Sequence, residues 1–357
     1  MASHWEKLGK RILFAPFRLV PRRGLLPIDP GSPPSRVLII RPDDRIGNLV
    51  LLLPLLDALH RAWPGVQVDM LLARVSADLI QGDPRVDRII LFDKRHLVEN
   101  GLRLVDLVRS LRRERYDLVI DASHPQEFSL TGSMLTGGTR ARRRIGYLVG
   151  SSGQVLDAGL VFETNPSRHQ SELFLDLLRL LVPGVPGGAL SLPIHEAERE
   201  TARRLLVAAG ADPGRSWLGI HPGGRGIKRW PIERFGELID RLAGESDRQV
   251  LVFQGPGEEE LVRHLQSRVA VIVPRLPIRP FAAALTQLRL MIAGDTGPMH
   301  VAAAVGTPTL ALFLTANHLV FGPPAPLNRT LYTPSGLSVE AVVDAAESMW
   351  ASSSRRE

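Results

Sequence analysis

The segment MIAGDTGPMH at 291–300, continued by VAAAVGTPTLALF to 313, is the stretch of this chain best equipped for chemistry. An apolar run over 288–293 predicts a buried strand, which ends in Gly294, Asp295, Thr296 and Gly297. Pro298 stands where a helix would begin, a position at which its missing N–H costs nothing. Small residues carry the helix to 305, Gly306-Thr307-Pro308 stops it, and 309–314 predicts the next strand. Such a strand–turn–helix–strand unit aims free backbone N–H groups and the positive helix end beyond the sheet edge, a setting suited to phosphate. Asp295 is acceptor-only when ionised, Thr296 offers a hydroxyl, and His300 lies one turn in. Ordinary helix caps and turns use the same residue types, so this stretch alone leaves both readings open.

Two other loops bring complementary parts. HPGGRGIKRWP at 221–231 and QGPGEEE at 254–260 each follow a predicted strand, and in a parallel sheet such loops converge on one crevice. Gly223, Gly224 and Gly226 permit close backbone approach, and Lys228 offers a point charge to phosphate. Only Lys7, Lys10, Lys94 and Lys228 are lysines among 44 basic residues, which sets Lys228 apart. Glu258 can accept from two ribose hydroxyls, whereas Glu259 and Glu260 suit the acidic start of a helix. With Gly297 and its helix on the pyrophosphate, the three loops complement a nucleoside diphosphate. A G-x-G-x-x-G after the first strand and a G-x-x-x-x-G-K-[ST] are both missing, which argues against a dinucleotide dehydrogenase and a P-loop kinase. No His/Asp spacing points to a tightly held metal.

These loops need a scaffold, and the 357 residues supply two alternating series. Strands are predicted at 36–40, 66–72, 88–92 and 116–121, with helices at 49–63, 76–81 and 102–113. After a Pro- and Gly-rich passage at 181–192 the alternation resumes through 196–209, 217–220, 231–242, 249–253, 258–267, 269–273, 281–285 and a last helix at 338–350. That pattern gives α/β architecture with two doubly wound parallel sheets. Candidate loops of the first sheet are 41–48 (RPDDRIGN) and 121–124. Residues 1–30 place Trp5, Leu8, Ile12 and Leu19 at helical spacing among Lys7, Lys10, Arg11, Arg18, Arg22 and Arg23, which suits a helix lying peripherally on an anionic inner-membrane surface, a helix packed on the body, or a leader without fixed structure. With no cysteine, thiolate chemistry is excluded; the formal charge is +7, and RARRR at 140–144 reads first as solvated surface charge, with a basic acceptor patch as the alternative. No apolar run reaches the roughly 20 residues of a membrane span, and no signal peptide is evident. A cytoplasmic location is expected.

Taken together, RVLII, DRIGNLVLLLPLLDAL, HPGGRGIKRWPIERFGELIDRL, GPGEEE and GDTGPMHVAAAVGTPTLALF resemble glycosyltransferase family 9, the ADP-heptose:lipopolysaccharide heptosyltransferases. The resemblance runs in order over about residues 36–350. It implies a GT-B fold: two Rossmann-like domains facing across a cleft, with the acceptor on the first and the nucleotide-sugar on the second. The expected division is a basic leader and linker at 1–35, an acceptor domain at 36–188, a donor domain at 189–335, and a closing helix at 336–357 that crosses back to the first domain. The resemblance also implies an inverting, metal-independent transfer of a sugar, heptose from ADP-heptose, to a lipid-linked lipopolysaccharide-core or related glycan. No separate cofactor and no nucleic-acid partner are expected.

By motif, Lys228 would bind donor phosphates, Glu258 the ribose, and Asp295, Thr296 and Gly297 the pyrophosphate and sugar, with His300 beside them. One departure bears on catalysis. Where much of the family has Gly-Asp in its first loop, this chain has Gly47-Asn48, and an amide cannot take a proton. Asp44, in the same loop, is the expected base, with Asp43 shaping the turn. The alternatives are a nucleotide-sugar or glycan-binding protein with weak or absent catalysis, and an epimerase of the same fold, for which no acid/base pair can be named.

Overall fold

The computed structural model describes residues 32–94, 101–163, 168–243, 247–265 and 269–353. The expected amphipathic leader at 1–30 lies outside them. Six strands form the first sheet: β1 (Arg36–Arg41), β2 (Gln67–Leu72), β3 (Arg88–Leu91), β4 (Leu118–Asp121), β5 (Arg143–Tyr147) and β6 (Ala158–Leu160). Six more form the second: β7 (Ser216–His221), β8 (Arg248–Val252), β9 (Ala270–Ile272), β10 (Leu290–Gly294), β11 (Thr309–Phe313) and β12 (Arg329–Tyr332). Every pairing is parallel, and the orders are β3-β2-β1-β4-β5-β6 and β12-β11-β10-β7-β8-β9. Both sheets therefore reverse their direction of growth between the first and fourth strands, where an open α/β sheet forms its ligand crevice.

Helices cover both faces, so the central strands read as continuous apolar runs. Val37, Leu38, Ile39 and Ile40 of β1 and Leu290, Met291, Ile292 and Ala293 of β10 are fully buried. In the first domain the helices are α1 (Ile46–Val50), α2 (Leu53–Ala62), α3 (Arg74–Ile80), α4 (Gly101–Glu114), α5 (Leu130–Gly138) and α6 (Gln170–Arg179). The second has α7 (Glu196–Ala208), α8 (Ile232–Leu242), α9 (Glu259–Arg263), α10 (Ile278–Leu285), α11 (Gly297–Ala304), α12 (His318–Phe321) and α13 (Val339–Ser353).

Three expectations are corrected. The single helix over 49–63 is two, because Pro54 at the start of α2 has no N–H to donate to the turn before it. The last helix does not cross back. α13 buries Val342, Ala345, Ala346 and Trp350 in the apolar cluster of the second sheet, with Leu290, Ile292 and Leu310. Arg289 Nη2 donates to the Trp350 carbonyl at 2.8 Å, and Arg248 pairs with Glu347 at 2.7 Å. A helix with its apolar side so occupied has nothing left to offer the first domain. Finally, the RARRR segment cannot face the cleft. Arg143 pairs in register with Leu118, the first residue of β4, so the segment sits at the amino edge of the sheet. Its Arg144 is buried against Asp157 at 2.9 Å.

The chain passes between sheets through the segment linking α6 to α7, which is tied to both. Ala189 N–H donates to Asp57 at 2.9 Å, and Arg85 Nη2 donates to the Ser191 carbonyl at 2.7 Å. Arg279 of α10 binds three parties: the Leu79 carbonyl (2.9 Å), the Pro193 carbonyl (2.7 Å) and the Glu198 carboxylate (2.7 Å). Across the cleft α1 packs on α11, and a Cβ built on Gly297 would lie 3.6 Å from Ile46 Cβ.

Candidate functional site between the two sheets

The three loops singled out above meet at the carboxyl ends of β7, β8 and β10. A Cβ on Gly294 would lie 3.6 Å from the Gly223 carbonyl and 3.7 Å from that of Lys228, so the glycine-rich loop abuts the α11 turn. Within the K-R-W-P segment each residue has its own task. Arg229 closes the loop by donating to the Gly224 carbonyl at 2.9 and 2.7 Å. Trp230 is buried, stands edge-on to Phe235 at 4.9 Å and donates to the Leu337 carbonyl at 3.2 Å. Pro231 precedes α8. Lys228 is left pointing across the opening, where its Nζ meets Asp295 Oδ2 at 2.5 Å and stands 5.8 Å from the Phe321 ring centre.

Thr296 caps α11 by backbone conformation only. Its hydroxyl donates back to the Gly294 carbonyl at 3.2 Å, and its side chain accepts nothing from the first turn. The helix start therefore keeps donors available for an anion. His300 lies one turn down, 5% exposed. Burial, reinforced by His169 and Lys228, holds its pKa down to about 4, against the pull of Asp295. It is a neutral ring at physiological pH. A Cβ on Gly47 would lie 2.8 Å from His300 Cδ2, so α1 can seat against α11 only with a glycine there.

A second cluster surrounds Glu258. Gly255 N–H donates to its Oε2 at 2.7 Å, and His221 Nε2 lies 3.3 Å from the same oxygen. Despite burial, which pushes the other way, His221 and Gly255 hold the carboxylate below its ordinary pKa range. A Cβ on Gly223 would collide with both Glu258 Oε1 and His221 Cε1, so only glycine fits between them. The structure thus brings together Gly223, Gly224, Lys228, Glu258, Asp295, Thr296, Gly297 and His300.

The first domain's residues are arranged differently. Asp44 is 67% exposed and meets Lys94 at 3.1 Å; that hydrogen bond keeps its carboxylate below the usual range. Asn48 is half-buried on α1, next to the Gly47 that touches His300. Asp43 accepts from Arg45 N–H at 3.0 Å and lies 2.6 Å from Arg41 Nε, as a turn-shaping residue would. Beneath them Arg41 is buried, donates to the Ala122 carbonyl and stacks on Phe174 at 5.3 Å. Burial lowers the pKa of Arg41 and raises that of Asp121 beside it.

Sequence reasoning missed four site residues. His221 carried no assigned role, although it opens the glycine loop. Asn317 donates to Asp295 Oδ2 at 2.8 Å, and Thr315 donates to Asn317 Oδ1 at 2.7 Å. Both follow β11, where the rule of strand carboxyl ends would have found them. His169, at the start of α6, lies 3.0 Å through Nε2 from the Gly322 carbonyl of the other domain; it follows a stretch for which no element was predicted. Among the described residues, no three His, Asp or Glu side chains gather as a metal site, and no helix is long and apolar enough to cross a membrane.

Comparison with known proteins bears on the fold and the family. A curated relative, lipopolysaccharide heptosyltransferase 1 of Pseudomonas aeruginosa, is 28% identical over 294 residues, covering 79% of each chain. Lipopolysaccharide heptosyltransferase 3 of Escherichia coli is 24% identical over 78% of this chain and 83% of its own. Among solved structures, a family 9 glycosyltransferase from Veillonella parvula superposes with a TM-score of 0.79 at 22% identity, over 89% of this chain and 97% of that one. The E. coli heptosyltransferase WaaC with ADP gives 0.68 at 21%, over 88% and 99%. These likenesses make the fold GT-B. The model of glycosyltransferase family 9 (heptosyltransferase) matches residues 104–340, and with two thirds of its length so matched this chain belongs to that family of glycosyltransferases.

Proposed function

We propose that this protein transfers heptose from ADP-heptose, with inversion and without a bound metal, to a lipopolysaccharide-core or related lipid-linked cell-envelope glycan. The observation that carries the reading is the Lys228–Asp295 pair beside the uncapped start of α11, in a crevice facing α1 of the other domain. The names of the curated relatives, and the ADP in the solved E. coli structure, favour this donor and acceptor class. In the proposed sequence the second domain binds the donor. Glu258 accepts from the ribose, while Lys228 and the α11 amides take the diphosphate. Asp44 accepts the proton of the acceptor hydroxyl, whose oxygen attacks the anomeric carbon from the face opposite the diphosphate. The bond from that carbon to the diphosphate oxygen breaks, and ADP leaves with its added charge met by Lys228 and the helix start. The cytoplasmic side of the inner membrane, touched by residues 1–30, is the proposed location.

Asn48 favours one second reading: a binding protein of the same fold with little turnover. Calorimetry with ADP-, UDP- and GDP-sugars, followed by turnover of Asp44→Asn and Asn48→Asp, separates the two. Binding of ADP-sugar and loss of turnover in Asp44→Asn are expected. Binding of only UDP-sugar would overturn the donor; unchanged turnover in Asp44→Asn would remove the base; an inactive wild type rescued by Asn48→Asp would establish the second reading.

A further inference from the structure

We infer that Asn317 is a positioning residue, holding the Asp295 carboxylate in place when Lys228 leaves it for the donor diphosphate. The inference rests on the donor-site reading above. In the structure Asp295 Oδ2 takes two donors, Lys228 Nζ at 2.5 Å and Asn317 Nδ2 at 2.8 Å. These differ in kind. Lys228 reaches Asp295 by a long side chain from a glycine-rich loop and is 41% exposed, with no second partner at its ammonium among the described residues but the Phe321 ring. Asn317 is anchored at its other end, where the Thr315 hydroxyl donates to its Oδ1 at 2.7 Å. The acceptor-only carboxylate decides which way the amide faces, because a flipped amide would turn its oxygen on Asp295, and the Thr315 hydroxyl then holds the Oδ1 end in place.

A carboxylate next to a diphosphate site is an electrostatic problem. As long as Lys228 sits on Asp295 the two charges cancel; when the ammonium turns to phosphate, Asp295 faces an anion and would be pushed out of line. The Asn317 N–H keeps one strong hydrogen bond on the carboxylate through that exchange, without adding charge. Thr315 and Asn317 lie beyond the carboxyl end of β11, and Asp295 beyond that of β10, its neighbour in the sheet, so two adjacent strands carry the arrangement.

The test is calorimetric titration of the full chain with ADP, UDP and GDP, and then of Asn317→Leu, Thr315→Val and Thr315→Ser with whichever diphosphate binds, using its free nucleoside as control. Asn317→Leu should weaken the diphosphate about tenfold and Thr315→Val about threefold, the size expected for one hydrogen bond to a charged group and one to its support. Thr315→Ser should bind as wild type, and the nucleoside should bind all four proteins alike. If the wild type binds no diphosphate, the donor-site reading falls and takes this inference with it. If the wild type binds and Asn317→Leu and Thr315→Val match it, the inference alone is overturned. Equal weakening of diphosphate and nucleoside would mean general disruption and would overturn it too. Should Asn317→Leu fail to fold, the Thr315→Val and Thr315→Ser pair decides by itself.

Discussion

The two domains share one strand order and put it to opposite uses. In the second sheet, the crevice between β7 and β10 is lined by glycine-rich backbone. Its charged groups, Lys228, Asp295 and Glu258, already stand in contact with partners that orient them. In the first sheet the equivalent position, between β1 and β4, is occupied by side chains: Arg41 and Asp121 are buried there, and Asp44 reaches out to Lys94 at the surface. On the proposed reading, one domain presents an anion site already built, the other a loop whose chemistry depends on what arrives. A nucleoside diphosphate looks much the same whatever sugar it carries, so a preorganised backbone cradle suits it. If the first-domain loop receives the acceptor, as proposed, its exposure accommodates variation at little cost to the core.

This contrast can be broken or sharpened by substitution. The largest effect should come from Lys228→Ala, expected to lower kcat/KM about a thousandfold, roughly 4 kcal/mol of lost stabilisation of the leaving diphosphate; a loss under tenfold would mean the second domain is not the charge-bearing half. Next comes acid. The folded chain holds His300 near 4 against an ordinary 6.5, so between those values the unfolded chain binds a proton that the folded chain does not. Stability should be flat above pH 6.5 and fall by about 3 kcal/mol as pH drops to 4, with urea midpoints flattened in His300→Gln. Arg279→Ala should cost about 2 kcal/mol, because it takes the charged partner from Glu198 and a donor from two carbonyls between the domains; thermal melting in the wild type and variant measures it. The smallest change belongs to the first domain: Lys94→Ala should alter stability by less than about 1 kcal/mol, since the pair with Asp44 is exposed. A larger drop in its melting temperature would show that the first-domain loop is as built as the second-domain cradle.

The same contrast explains what the sequence revealed. The three second-domain loops are legible because their backbone packs closely, and backbone that must approach a neighbour demands glycine at fixed spacing. Gly223, Gly294 and Gly297 announce themselves, as does Pro298 at the helix start. Asn317 and His221 act through side chains on residues common in any loop, so they emerge only when distances are known. His169 was hidden for another reason: it stands just before α6, and its contact with Gly322 spans two domains. The path of α13 was misjudged because an apolar helix face does not say which of two sheets it will cover; Trp350, wedged between Arg248 and Arg289, decides it.

Arg279 has one more implication. Its guanidinium is bonded at once to α3 of the first domain, to the connecting segment and to α7 of the second. Any widening of the crevice that preserves those bonds must swing around that point, as a lid does on its pin. If the crevice opens, spectroscopic labels placed beside Arg279 should keep their separation while a pair spanning the mouth between α1 and α11 moves apart.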